Sequence, residues 1–431
     1  MRYAKWKPFV VVTVISLLLI CCGGSTSTSS GTDDSGGETD DSGDETGATT
    51  TQDLLADCSS VATPYFSVSP VSLDEAGTNF RYVAPLGSTN PWGGHVLPSG
   101  HMYFYVKDDD TTTNFYAPGN VTITKIIRFF NSDYDYNENG VIDSGEEDYS
   151  IEYGPCKDVK AYFNHVKGLS AEILVALGAF TDDDCEDAPA ASSHKCSKQV
   201  SIAVNAGDLL GTFGNRPGNT AIDVGIYDKL ATPLDLISPE RGVADDGFDW
   251  VYKQCFLNYY DSNNSVFTTL DGMIGRYDEI TGFEAKTEGS PHCGNLAFDV
   301  VGAAKGYWYP DSTTDMMENA ASAALIDDEF ASDTRQMINV GSETLPNSTA
   351  TTYNFAKSGS GRINRDFADV TNDGLIYCYD SFQYDWGVNV IFLLKVEDET
   401  LKIEKLSYAD CDDYNADPSA WVFSSPQTLY R

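Results

Sequence analysis

Apolar and polar positions along much of the chain alternate with a period close to two, the spacing that buries one face of a strand and turns the other outward. Val121-Thr122-Ile123-Thr124-Lys125-Ile126-Ile127-Arg128-Phe129 keeps that rhythm, as do residues 102–106 and 149–153. Further strands are predicted at 200–204, 221–227, 306–309, 375–379, 390–396 and 401–406. Helical periodicity is scarce. Asp315 with Glu318 three positions on, followed by an alanine-rich run to Ala324, predicts a short capped helix, and residues 248–259 predict a second. The chain therefore reads as mainly β, made of antiparallel strands with few short helices and no internal repeat.

The first residues break this pattern. Arg2, Lys5 and Lys7 precede an apolar run from Phe9 to Ile20 that ends in Leu19-Ile20-Cys21-Cys22-Gly23. The run is about twelve residues, shorter than the roughly twenty that span hydrocarbon, so it predicts a signal peptide over residues 1–22 and not a retained membrane helix. A leucine three positions before a cysteine resembles the bacterial lipobox, in which the cysteine is acylated and becomes the mature N-terminus. The lipid is placed on Cys22, with Cys21 as the lesser choice. This predicts an exported protein held to the membrane by a lipid anchor in the bacterial cell envelope, at the outer membrane. Residues 23–56 are dominated by Gly, Ser, Thr, Asp and Glu, and no Lys or Arg lies between Lys7 and Arg81. Such a segment buries no core and repels itself into an extended tether.

Charge and cysteine content narrow the partners and the compartment. The chain has 65 acidic against 27 basic side chains, a formal charge of −38, which repels phosphate backbones and excludes nucleic acid as a partner. Past Cys22 come Cys58, Cys156, Cys185, Cys196, Cys255, Cys293, Cys378 and Cys411. An even number behind an export signal predicts disulfides, and no C-x-x-C pair supports a zinc ribbon or a redox centre. The sequence leaves the pairing open, apart from Cys185 with Cys196, which would close a polar loop.

One motif carries a specific chemistry. Asp135-Tyr136-Asn137-Glu138-Asn139-Gly140-Val141-Ile142-Asp143-Ser144-Gly145-Glu146 satisfies the EF-hand loop pattern throughout. Calcium would take side-chain oxygens of Asp135, Asn137 and Asn139, the carbonyl of Val141, Asp143, and both carboxylate oxygens of Glu146, while Gly140 allows the turn. The flanks alternate as strands do, so the loop is predicted to join two antiparallel strands and to hold calcium structurally. Seven carboxylates, Asp133, Asp135, Glu138, Asp143, Glu146, Glu147 and Asp148, lie between Arg128 and Tyr149 with no basic side chain among them, so the hairpin repels itself until a cation neutralises it.

Residues 97–101, 115–119, 161–169, 205–214 and 221–225, read in order, resemble the lysostaphin/LytM-type zinc endopeptidases. The clearest pieces are Tyr162-Phe163-Asn164-His165-Val166 and Ala206-Gly207-Asp208-Leu209-Leu210-Gly211-Thr212-Phe213-Gly214. The resemblance covers about residues 80 to 240 and implies a compact antiparallel core, the duplicated hybrid motif. In that family a His, an Asp four residues later and the second His of an H-x-H motif hold zinc. Leu97 and His101 stand where the first pair would be, Ala221 and Asp223 stand where H-x-H would be, and His165 is kept. The resemblance thus implies a peptidase-like domain whose His101, His165 and Asp223 sit in one polar pocket. A non-catalytic role follows, binding or scaffolding peptidoglycan, another glycan or an envelope protein. The rival reading is a peptidoglycan endopeptidase with an altered zinc site made by the same three residues, His165 assisting catalysis.

The body divides on this reading into a lysostaphin-like domain over residues 57–255 and a second antiparallel β domain over 256–431. The aromatic residues of the second, among them Trp308, Trp386 and Trp421, read as packing, and Arg365 beside Asp366 and Asp369 reads as a salt-bridged loop.

Overall fold

A computed structural model describes residues 50–73, 80–89, 95–107, 112–131, 146–186, 195–214, 220–244, 246–278, 282–286, 292–316, 321–346, 349–383 and 389–431. Cys22, residues 23–49 and the predicted calcium positions Asp135, Asn137, Asn139, Val141 and Asp143 lie outside these residues, and Glu146 enters only as a backbone position. The described chain is mainly antiparallel β.

The largest sheet holds β1 (Phe80–Ala84), β2 (Met102–Val106), β3 (Thr112–Tyr116), β4 (Val121–Asn131), β5 (Glu146–Cys156), β6 (Val159–Leu169), β7 (Lys195–Val204), β8 (Leu209–Gly214) and β9 (Ala221–Asp228). Seven strands follow the order β1-β2-β9-β6-β5-β4-β7, while β8 pairs with both β3 and β6. Alternation sets the two faces. Ile222, Val224 and Ile226 of β9, Ala161 and Phe163 of β6, and Met102 and Phe104 of β2 have no exposed surface and build the core. Each large side chain so buried stabilises the fold by about 1.5–3 kcal/mol. The residues between them, Asp223 and Tyr227, Tyr162 and Asn164, His101 and Tyr103, take the opposite face.

Two irregularities shape that face. The hairpin of β4 and β5 pairs Asn131 with Glu146, so the predicted calcium loop joins two antiparallel strands. Strand β6 pairs with β9 as far as Asn164 opposite Asp223, then with β8 from Val166 opposite Phe213. Between these positions His165 has φ +62°, the left-handed region. The sheet forks at that residue.

Farther along come the hairpin β10 (Gly275–Asp278) with β11 (Gly282–Ala285), and a sheet of β12 (Gly306–Trp308), β13 (Ala323–Asp327), β14 (Arg335–Val340) and β15 (Thr351–Ala356). A last sheet has β16 (Tyr377–Tyr379), β17 (Ile391–Glu397), β18 (Thr400–Leu406) and β19 (Gln427–Tyr430). Tyr307, Ala324, Ile326 and Met337 face a first core that begins at Cys58, whereas Trp308, Ala323, Leu325, Ile338 and Val340 face a second that reaches Leu429. The sheet of β12 to β15 is therefore a septum, apolar on both sides, and the first core runs continuously past residue 255.

The described helices are α1 (Ala171–Leu177), α2 (Ser265–Asp271) and α3 (Cys411–Asn415). Among the described residues neither predicted helix forms, residues 317–320 of the first lying outside them. Ala323 and Ala324 lie in β13, where their small side chains let Trp308 and Tyr307 pair across the strands. The stretch 248–259 contains two 3-10 turns, Trp250–Tyr252 and Phe256–Tyr259, because Lys253 and Cys255 between them take extended backbone. Lys253 reaches back to the large sheet, and Cys255 is bonded to Cys293. The other disulfides are Cys58–Cys156, Cys378–Cys411 and the expected Cys185–Cys196. The segment before β1 is already docked at Gln52, whose amide donates to the carbonyls of Cys156 and Val159. Arg365 pairs with Asp369 at 2.8 Å, as expected of that loop.

Candidate functional site: a polar cleft on the large sheet

The outward face of β2, β9, β6 and β5 forms one wall of a cleft of about 820 Å³. Alternation supplies Asp148, Ser150 and Glu152 from β5, Lys160, Tyr162 and Asn164 from β6, and Asp223 and Tyr227 from β9. The loop before β2 adds His95, Leu97 and His101, and the 3-10 region adds Trp250 and Lys253. His165 joins them because the fork in β6 turns its backbone out of strand geometry. A histidine held at positive φ costs on the order of 1–3 kcal/mol, which the two flanking strand pairings offset.

The three residues singled out in the sequence converge here. Asp223 Oδ2 lies 3.4 Å from His101 Nε2 and 3.5 Å from His165 Nε2. His165 Nδ1 donates to Asp148 Oδ2 at 3.0 Å, which fixes that tautomer and leaves Nε2 toward Asp223. On the other side Lys253 Nζ donates to Tyr162 Oη at 2.7 Å, and Tyr162 Oη lies 3.3 Å from His101 Nδ1. A continuous polar path thus runs Lys253, Tyr162, His101, Asp223, His165, Asp148. Tyr162 can reach across because its strand partner is Gly225, where a Cβ would stand 2.1 Å from Tyr162 Cζ.

Burial sets the protonation of this path. It pushes Asp223 up to about 7, opposed by the charge of His165, reinforced by that of Asp148 and opposed again by Lys253. Burial holds His101 well below the usual histidine range, with the charges of Lys253, His95 and His165 acting in the same sense. Lys253 is held well below the usual lysine range, first by burial and then by Lys160. Its amine lies 3.8 Å from the centre of the Tyr227 ring and 4.4 Å from that of Tyr162. Near neutral pH Asp223 can therefore give up or accept a proton, while His101 is neutral. Buried His101 Nε2 and Asp223 Oδ1 make no hydrogen bond.

The zinc positions implied by the family resemblance fare unevenly. Leu97 is buried in the cleft wall, and Ala221 is buried opposite Tyr105. Among the described residues no group of three or more His, Cys, Asp or Glu is arranged to hold a metal ion. His95 reaches the wall, its ring 5.4 Å from that of His101. His292 lies elsewhere and bridges Asp271 and the carbonyl of Lys286, a structural pin. Sequence reasoning missed Lys253 and Tyr162, and it read Asp148 only as part of the acidic hairpin. The two-residue spacing Asp148-Ser150-Glu152 and Lys160-Tyr162-Asn164 was the available signal. Compared with protein-family models, with curated proteins and with solved structures, the chain matches none.

Proposed function

We propose that this is a lipid-anchored envelope protein, stabilised by calcium, whose β body binds or scaffolds an envelope glycan or peptide in the cleft without cleaving it. The observation that supports this reading is the charge balance of the cleft. In a chain of −38 it gathers Lys160 and Lys195 against Asp148 and Glu152, with buried Lys253 and Asp223 both shifted toward their neutral forms and His95, His101 and His165 beside them. Aromatic faces and balanced polar groups suit a neutral ligand rich in hydrogen-bonding groups. The test is sedimentation of the purified full-length protein with isolated peptidoglycan. Wild type should pellet with it, and Asp223→Asn and Lys253→Met should each weaken binding at least tenfold. Equal binding by the variants, or none by wild type, would refute the assignment of the cleft.

The second reading, a metallohydrolase on His101, His165 and Asp223, draws on one observation: both Nε2 atoms approach the same Asp223 oxygen at 3.4 and 3.5 Å. Stoichiometric zinc in the purified protein, with chelator-sensitive cleavage of peptide cross-links lost in His165→Ala, would replace the binding reading with this one.

A further inference from the structure

A second cavity, about 390 Å³, lies where Tyr82 of β1 and Tyr103 and Tyr105 of β2 face Glu329, in the turn between β13 and β14. The strand period that puts His101 in the first cleft also puts Tyr103 and Tyr105 on the same face. The rings form a row. His101 and Tyr103 have centroids 4.7 Å apart, Tyr103 and Tyr105 5.9 Å, and Tyr105 and Tyr82 4.5 Å in a parallel stack. One aromatic file therefore connects the wall of the first cleft to the wall of the second cavity.

Two polar groups lining the second cavity are incompletely used. Glu329 Oε2 and Tyr103 Oη are buried without a hydrogen bond of normal geometry, and only the hydroxyls of Ser88 and Ser99 act on the two side chains as hydrogen-bonding groups. Native proteins rarely leave such atoms unsatisfied, since each costs about 1–3 kcal/mol when buried alone. Neighbouring Asp328 is different: its carboxylate already accepts from the amides of Phe330 and Ala331 and from Asn354 Nδ2, so it shapes the turn.

We propose that this second cavity is a saccharide subsite, continuing the cleft, in which a sugar ring lies against the tyrosine file and its hydroxyls bond Glu329 and Tyr103. A pyranose ring offers apolar C–H faces to aromatic rings and hydroxyls that both donate and accept, which is what one carboxyl and one phenol among tyrosines can satisfy. An organic cation is the less fitting ligand, because Lys286 and Arg276 act on Glu329 from nearby with positive charge. An anion is disfavoured by Asp328 beside it and by the −38 charge of the chain. Burial pushes Glu329 up to about 7, so near neutrality it can donate or accept toward a hydroxyl.

The inference rests on the binding reading of the cleft and narrows its ligand to a chain of sugars long enough to touch both cavities. Calorimetry on the full-length protein with the disaccharide and the hexasaccharide of N-acetylglucosamine tests it. Wild type should bind the hexasaccharide at least tenfold more tightly than the disaccharide. Glu329→Ala should erase that gain and leave disaccharide affinity unchanged, whereas Asp223→Asn should weaken both. Tyr82→Ala, at a partly buried ring remote from Glu329 in sequence, should act as Glu329→Ala does and decides the matter if the latter does not fold. A length gain that survives both second-cavity variants, or binding of stem peptides with no binding of either sugar, overturns the saccharide subsite while leaving the cleft in place. Loss of peptidoglycan sedimentation by wild type removes the cleft reading itself.

Discussion

Asp223 lies at the centre of the polar path, and replacing it with Asn should change how stability depends on pH. Its carboxyl is nearly devoid of solvent contact and burial raises it from 3.8 to about 7. The folded state thus binds this proton more tightly than the unfolded chain does. Its contribution is favourable below the unfolded value and is lost as pH rises through the folded one. A difference of about three units corresponds to about 4 kcal/mol at the upper end of that window. The amide of the Asp223→Asn variant would not titrate, while His101, His165, Asp148 and Lys253, the groups around it, remain in both proteins. The stability of Asp223→Asn minus that of wild type should therefore grow more positive by up to about 4 kcal/mol from about pH 4 to about pH 8. Urea unfolding followed by tryptophan fluorescence, with disulfides intact and a zinc-selective chelator present, measures that difference. A difference that stays constant across the range refutes the buried, proton-binding carboxyl. One that runs the other way means Asp223 is ionised and held by a cation.

Three other outcomes are expected. Calcium at a hundred times its dissociation constant should add about 2.7 kcal/mol of stability, and Glu146→Gln should abolish most of the resulting shift in Tm by scanning calorimetry; an unchanged shift places the ion elsewhere. Cys22→Ala should release the protein from membranes on fractionation, and an acyl chain absent from both adjacent cysteines by mass spectrometry would defeat the lipid anchor. Gly225→Ala should cost about 1–3 kcal/mol, because the new methyl meets the Tyr162 ring, and should disturb ligand binding with Tyr162; unaltered urea midpoint and affinity would show that Tyr162 need not cross β9.

What could be read from the sequence was whatever depends on local period. Strands β2, β4 and β18 are visible in alternation because each buries mainly one face, whereas β9 and β17, buried on both, are visible as apolar runs. The convergence of His101, His165 and Asp223 followed from a resemblance in order and spacing. What could not be read depends on long-range ties. Ala323 and Ala324 favour a helix by propensity, yet burial between Trp308 and Val340 makes them strand. Lys253 looked like an ordinary helix residue; its reach to Tyr162, across 91 positions, is a property of the folded chain alone. The continuity of the first core past residue 255 is of the same kind, since nothing local in Tyr307 or Met337 says which side of a septum it will face.

The fork at His165 ties the cleft to the architecture of the sheet in one residue. Its left-handed backbone lets β6 leave β9 and join β8, so substitution there acts on the sheet before it acts on any ligand. Gly or Asn can take that conformation, whereas Val or Ile would resist it and press the two arms back toward a single line. Sequences that share this branching should accordingly be restricted at this position even where their ligands differ, and a designer who wants a new specificity in the cleft should vary Asn164, Tyr227 or Trp250 first and leave the branch point alone.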